Sequence, residues 1–304
     1  MNQILSEKEY QKYILEKLNN IGYEIHPSSC YDKNFAIDRE ALFRFLNSTQ
    51  PETMDALTKI YHAETEDTIV AAINTEETKK RGSRLSVLKH GIEISNLHLD
   101  LMYSKPATTF NKELNALYEK NIFSASEEVW ASDKERIDIV IYLNGLAIMT
   151  FELKANTAGQ NYHDAIYQYR TERDPKTRLF RFKAGALVCF AMDLEEVYMT
   201  TKLDGAATFF LPFNMGRGKG INTGAGNPIL EDEFSVHYMW DNILQKDSII
   251  EIITKFMFIE VKEKEDENTG KTKITETVIF PRFHQLDVLR KLLDNVREAI
   301  FILT

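Results

Sequence analysis

The sequence predicts an α/β fold in which apolar strands, led by one β-hairpin, occur along the chain among helices. Residues 136–154, RIDIVIYLNGLAIMTFELK, hold two β-branched, apolar runs around Asn144-Gly145, a strong hairpin signal. A helical pattern follows at 161–173, with Tyr162, Ala165, Ile166 and Tyr169 at offsets of 3, 4 and 7. Asp174-Pro175 ends it. Two further apolar runs, GALVCFAMD (185–193) and EVYMTTKL (196–203), read as buried strands.

The N-terminus reads as a helix. Ser6 and Glu9 form a capping box, and Tyr10, Ile14, Leu18 and Ile21 recur at helical spacing until Gly22. A second helix start is expected at Thr49-Gln-Pro-Glu52, with proline in its first turn, and 53–80 follows as a charged helical region. GIEISNLHLDLMY (91–103) alternates like a strand, while FNKELNALYEKN (110–121) fits strand or helix. Residues 214–228 form a glycine-rich loop, and KEKEDENTGKTK (262–273) a solvated turn or flexible arm. An amphipathic helix is expected at 281–300, with Leu286, Leu289, Leu293 and Val296 on one face. The final AIFILT is apolar and strand-like, which suggests a fragment of a longer protein.

At 304 residues the chain allows one large or two smaller domains with a sizeable core. Hydrophobic residues make up 43% and charged residues 27%, as in a globular protein without a membrane span. Cys30 and Cys189, far apart, read as reduced cysteines of a cytoplasmic protein. A net charge of -9 argues against a protein that coats nucleic acid non-specifically. It leaves DNA open as a substrate, since a nuclease needs carboxylates for its metal.

Three charged residues interrupt the apolar strands of the hairpin: Asp138, Glu152 and Lys154. A charge in a buried strand is costly unless paired or metal-bound. Glu152 and Lys154, two apart, share a strand face. A plain two-residue turn puts Asp138 opposite Phe151, on the wrong face. A three-residue loop, Leu143-Asn144-Gly145, or an equivalent bulge, puts Asp138 opposite Thr150 and diagonal to Glu152, with Cα atoms ~7–8 Å apart. Two carboxylates so placed can grip one Mg²⁺, which keeps several waters and accepts substrate phosphate. The bland alternative is an edge hairpin with a solvated Asp-Lys pair.

Asp138…Glu152-Leu153-Lys154 resembles the PD-(D/E)xK nuclease motif, whose fold is a mixed β-sheet flanked by helices. The resemblance is closer to the N-terminal part of the restriction (HsdR-type) subunit of type I restriction-modification enzymes. It is carried by RIDIVIYLNGLAIMTFELK, AIYQYRTERDP (165–175), LFRFKAGALVCFAMDLEEVYMTTKL (179–203), FFLPFN (209–214), GAGNP (224–228) and IFPRFHQLDVLRKLL (279–293). It implies a nuclease domain with an N-terminal helical and mixed portion at 1–130 and a core at 131–260. Residues 261–304 would hold a linker and the start of a truncated superfamily 2 helicase motor.

The resemblance further implies that Asp138 and Glu152 ligate Mg²⁺ and that Lys154 is the catalytic lysine. The family's helix glutamine falls on Gln168, although Glu172 stands where related nucleases carry tyrosine, with Tyr169 the near neighbour. Glu7 is a candidate for the extra acidic residue that many such nucleases take from their first helix. Arg170 and Arg173 are candidate phosphate contacts within a basic strip that continues through Lys176, Arg178, Arg181 and Lys183. FPRFHQ (280–285) resembles an adenine-contacting motif, with Gln285 the reader, but no Gly-x₄-Gly-Lys-Ser/Thr follows. ATP is therefore expected to serve the full-length protein and not this fragment. The implied partners are double-stranded DNA and methylation (M) and specificity (S) subunits, with no membrane. A docking module with a silent nuclease site is the alternative function.

Overall fold

The computed structural model describes residues 6–155, 159–218, 224–265 and 272–303. Helix α1 (Glu7–Asn20) starts at the expected capping box, with Ser6 accepting from the Glu9 N–H and the Glu9 carboxylate accepting from the Ser6 N–H. It buries Tyr10, Ile14 and Leu18. Short strands β1 (Glu24–Ile25), β2 (Tyr31–Asp32) and β3 (Ile37–Asp38) lead into α2 (Arg39–Thr49), which the sequence reading missed. Thr49 closes α2 instead of capping the next helix. Its hydroxyl donates to the Phe45 carbonyl, and α3 (Pro51–Tyr61) starts from Gln50 without a side-chain cap. The charged region continues as α4 (Thr65–Thr78), followed by α5 (Arg84–His90).

Residues 91–103 hold not one strand but a small separate hairpin, β4 (Ile92–Ile94) and β5 (Leu97–Leu99), turned at Ser95 and Asn96, both with positive φ. The ambiguous 110–121 stretch resolves as α6 (Lys112–Glu119). Next come β6 (Phe123–Trp130), also unforeseen, then β7 (Arg136–Leu143) and β8 (Leu146–Leu153), the expected hairpin. Helix α7 (Tyr162–Thr171), β9 (Val188–Met192) and β10 (Val197–Thr200) follow within the expected ranges, and a short β11 (Leu211–Pro212), not expected, is added. Beyond α8 (Lys246–Glu251), β12 (Phe258–Glu265) and β13 (Thr272–Ile279) pair antiparallel; they take in the ends of the expected solvated turn or flexible arm, whose residues 266–271 lie outside the described residues. Helix α9 (Phe283–Leu303) closes the chain, two residues later at its start than expected.

The main sheet runs β1-β6-β7-β8-β9-β10-β11, with β3 also paired to β8. It is mixed: β1 lies parallel to β6 and β8 parallel to β9, while the other neighbours are antiparallel. Strands from both sides of residue 130 share it. Because side chains alternate along β7, Ile139, Ile141 and Leu143 join the larger core with α1 and α2, whereas Val140 and Tyr142 join a second core under α7.

The hairpin turn corrects the expected three-residue loop. Leu143 pairs with Leu146, leaving only Asn144 and Gly145, with φ 50° and 79°, in the turn. Glycine is required at 145, where a Cβ would sit 2.4 Å from the Asp38 carbonyl oxygen. The Asn144 side chain accepts from the Ile122 N–H and donates to the Leu101 carbonyl and to Asn121, so a buried asparagine is fully engaged.

Even pairing is restored by the alternative device, a β-bulge. Tyr142 faces Ala147 but Ile141 faces Met149, so Ile148 is the extra residue. The buried Arg84 guanidinium holds the chain beside it, donating to the Ala147, Ala36 and Phe35 carbonyls while paired with buried Glu77. Beyond the bulge Ile139 faces Phe151, and that register continued brings Asp138 level with Glu152.

Candidate active site

Asp138 lies near the start of β7, and Glu152 near the end of β8, with Lys154 just past it. Their exposures are 8%, 0% and 4%, so all three charges sit in the protein interior. The Asp138 Oδ2 accepts from the Leu153 N–H at 2.7 Å, which ties the carboxylate to the facing strand. Its backbone carbonyl accepts from the Gln11 side chain on α1 at 2.6 Å. One turn earlier on the same helix, Glu7 holds the Lys154 ammonium, Nζ to Oε2, at 2.9 Å. The first helix thus reaches the hairpin through two side chains. Gln11 was not foreseen, although its spacing of four from Glu7 places both on one helix face.

Burial and mutual repulsion dominate the electrostatics. Desolvation pushes the Asp138 carboxyl up to about 6, against the stabilising Leu153 N–H, and the Glu7 charge adds to the rise. Glu152 is driven well above the ordinary carboxylate range by burial and then by the Asp138 charge, with Arg173 opposing. Its Oε1 accepts from the Arg173 guanidinium, while its Oε2 is buried without a hydrogen-bond partner among the described residues. Two carboxylates side by side with an orphaned oxygen form a site short of positive charge. That donor set suits a hard divalent cation. Among the described residues no group of three or more His, Cys, Asp or Glu is placed to hold a metal ion.

The basic strip divides. Arg173, a candidate phosphate contact, is buried, with Nη2 2.5 Å from Glu152 Oε1 and 2.8 Å from the Arg136 carbonyl oxygen. Arg178 is likewise buried on Glu77, and Lys183 pairs with Glu276. Arg170 is half-buried, its Nε donating to the Thr208 carbonyl, while Lys176 and Arg181 are exposed. Gln168 lies half-buried on α7, and its Oε1 has no partner among the described residues. Tyr169 is fully buried with its hydroxyl 2.9 Å from Thr150 Oγ1, two residues before Glu152, whereas Glu172 is exposed at the helix end. Gln285 lies far along the chain in the first turn of α9, its Oε1 accepting from the Arg282 N–H.

Residues 4–208 match the family described as type I restriction enzyme R protein N terminus. The chain belongs to that family. No curated protein matches it. The matched span of the R protein N terminus takes in α1 with Glu7 and Gln11, the hairpin with Asp138, Glu152 and Lys154, and α7 with Gln168. Gln285 and the β12–β13 hairpin lie beyond it. As an R protein N terminus the chain has a mixed sheet flanked by helices, and no described helix is long and apolar enough to cross a membrane.

Proposed function

We propose that this chain is the Mg²⁺-dependent endonuclease domain of a type I restriction enzyme, hydrolysing phosphodiester bonds of double-stranded DNA. The observation that carries the reading is the buried, unpartnered Glu152 Oε2 beside the Asp138 carboxylate. Asp138 and Glu152 would hold the ion. Mg²⁺ bound there would lower the pKa of a ligated water and neutralise charge on the scissile phosphate. Lys154, held in place by Glu7, would orient the attacking water or stabilise charge developing on phosphorus. Gln168 of α7 is the proposed further site residue, and its neighbour Tyr169 fixes that helix to Thr150.

Cutting is assigned to the assembled enzyme, with M and S subunits, after ATP-driven translocation by the full-length subunit. Gln285 is the proposed adenine reader of that motor, and this chain is not itself assigned ATP hydrolysis. Arg170, partly exposed, is retained as a proposed DNA contact. The alternative, a silent docking or DNA-binding module, has one observation in its favour: Arg173 already occupies Glu152 Oε1. Restriction of unmodified DNA by the assembled enzyme carrying Asp138→Ala or Lys154→Ala separates the two. Loss of cleavage with translocation intact supports the nuclease, and cleavage that persists in both variants overturns it.

A further inference from the structure

A cleft of about 740 Å³ opens beside the hairpin, lined by Glu7, Lys8 and Gln11 of α1, His26, Glu128 of β6 and Arg136 of β7. Two of these side chains also touch the buried site, Glu7 through Lys154 and Gln11 through the Asp138 carbonyl. The cleft is therefore the open ground next to carboxylates that are themselves almost fully covered.

Arg136 lines this cleft, and Trp130 stands just outside the lining as its cross-strand neighbour. Arg136 stands two residues before Asp138, about 6.6 Å along the strand. Directly across from it in the β6–β7 ladder is Trp130, 54% exposed. The Arg136 guanidinium carbon lies 6.0 Å from the Trp130 ring centroid, and Nη1 is 2.5 Å from Glu128 Oε2. That pairing engages only part of a five-donor fork whose side chain is 52% exposed. Glu128 takes φ 53° within the strand, a conformation uncommon for a residue with a side chain, and it interrupts the β6–β7 ladder opposite Asp138. A large exposed indole backed by a guanidinium is the arrangement that accepts a base or sugar on its face and a phosphate on its edge.

We infer that Arg136 and Trp130 form the rim that seats a DNA strand on its way into the site, Arg136 on a backbone phosphate and Trp130 against the neighbouring sugar or base. This rests on the nuclease reading and deepens it. It also supplies the backbone contact that Arg173, turned inward onto Glu152, does not make. Glu7, Glu127 and Glu128 bring negative charge to the same cleft, so seating is expected to strengthen when a divalent cation offsets it.

The chain carries two tryptophans, and Trp240 is 1% exposed, so Trp130 dominates any solvent-sensitive emission. The 304-residue chain is titrated with a short DNA duplex in Ca²⁺, following tryptophan emission and, in parallel, the anisotropy of labelled DNA. A saturable change in emission is expected, absent in Trp130→Phe. Arg136→Gln is expected to weaken binding about tenfold and to reduce the slope of log affinity against log salt by about 1, with Arg136→Lys intermediate. Circular dichroism of each variant checks that the fold is retained. Anisotropy that reports binding while Trp130 emission stays constant, or an unchanged affinity and salt slope in Arg136→Gln, overturns the rim and leaves the nuclease reading standing. Absence of any duplex binding overturns the rim as well. The nuclease reading itself falls only with the Asp138 and Lys154 variants of the assembled enzyme.

Discussion

Arg173 and Glu152 share a buried ion pair, in which Nη2 at 2.5 Å and Nε at 2.6 Å both point at the same carboxylate oxygen, Oε1. The arginine comes from the segment just after α7 and the glutamate from β8, so the pair fastens the helix end to the strand that carries the candidate site. Arg173→Met strands a buried carboxylate, and removing one partner of such a pair costs about 3–5 kcal/mol. Urea denaturation in a chelator should show a loss of that order. Added Mg²⁺ should recover part of it, because Glu152 would regain a cationic partner. An equal loss with and without Mg²⁺ would count against Glu152 as a ligand.

Asp138 gives the metal-free chain a particular pH dependence. Its carboxyl has an ordinary value of 3.8 and is pushed up to about 6 by burial in the fold. Below pH 3.8 both folded and unfolded chains hold the proton. Between about 4 and 6 only the folded chain keeps it, so stability falls as pH rises through that window, by about 3 kcal/mol at most. Above 6 the loss is complete. Asp138→Asn should flatten this stretch of the profile, raise metal-free stability at pH 7 and abolish stabilisation by Mg²⁺. Denaturation series at pH 4, 5, 6 and 7 read all three.

Lys154 and Glu7 should separate in the assembled enzyme. Lys154→Met removes the proposed charge-stabilising group and should lower cleavage about 10²–10³-fold. Glu7→Gln leaves the lysine but loosens its aim, and a smaller loss is expected. Single-turnover cleavage of an unmodified plasmid, with translocation measured separately, tests the order of the two.

Arg84 answers to a different measurement. Its guanidinium, wholly buried, spans Glu77 and three backbone carbonyls. Arg84→Met should destabilise the chain by about 3–5 kcal/mol by leaving Glu77 short of a partner. Arg84→Lys should rescue little, since one ammonium lacks the planar fork that reaches all of these acceptors. Thermal melts of the three proteins decide it.

The sequence made the hairpin, α1 and α7 legible because each carries a local signal: Asn144-Gly145, the Ser6–Glu9 box, and an apolar face ended by Asp174-Pro175. The strand β6 has none. FSASEEVW mixes buried serines with one exposed and one half-buried acid, and it becomes a strand because β1 and β7 flank it. The bulge at Ile148 was open in the sequence as one of two ways to reach an even register, and Arg84, 63 residues from the Ala147 carbonyl it binds, is what a local reading does not see. The inward turn of Arg173 was hidden for the same reason. Its charge is plain in the sequence, but its partner Glu152 is a tertiary neighbour 21 residues away.

Thirteen residues separate Asp138 from Glu152, and the bulge means that this spacing is not what the chemistry requires. Ile148 has no partner on β7, so deleting it would shorten the interval by one and leave Ile139 opposite Phe151. Deleting Thr150 shortens the interval equally but would turn Glu152 and Lys154 to opposite sides of the sheet from those they now occupy, unless the bulge closes in compensation. Sequence comparison by motif spacing would rate the two deletions alike. A shorter interval with a straight hairpin is equivalent to the present one, whereas the present interval without its bulge is a hairpin whose two carboxylates face opposite sides of the sheet.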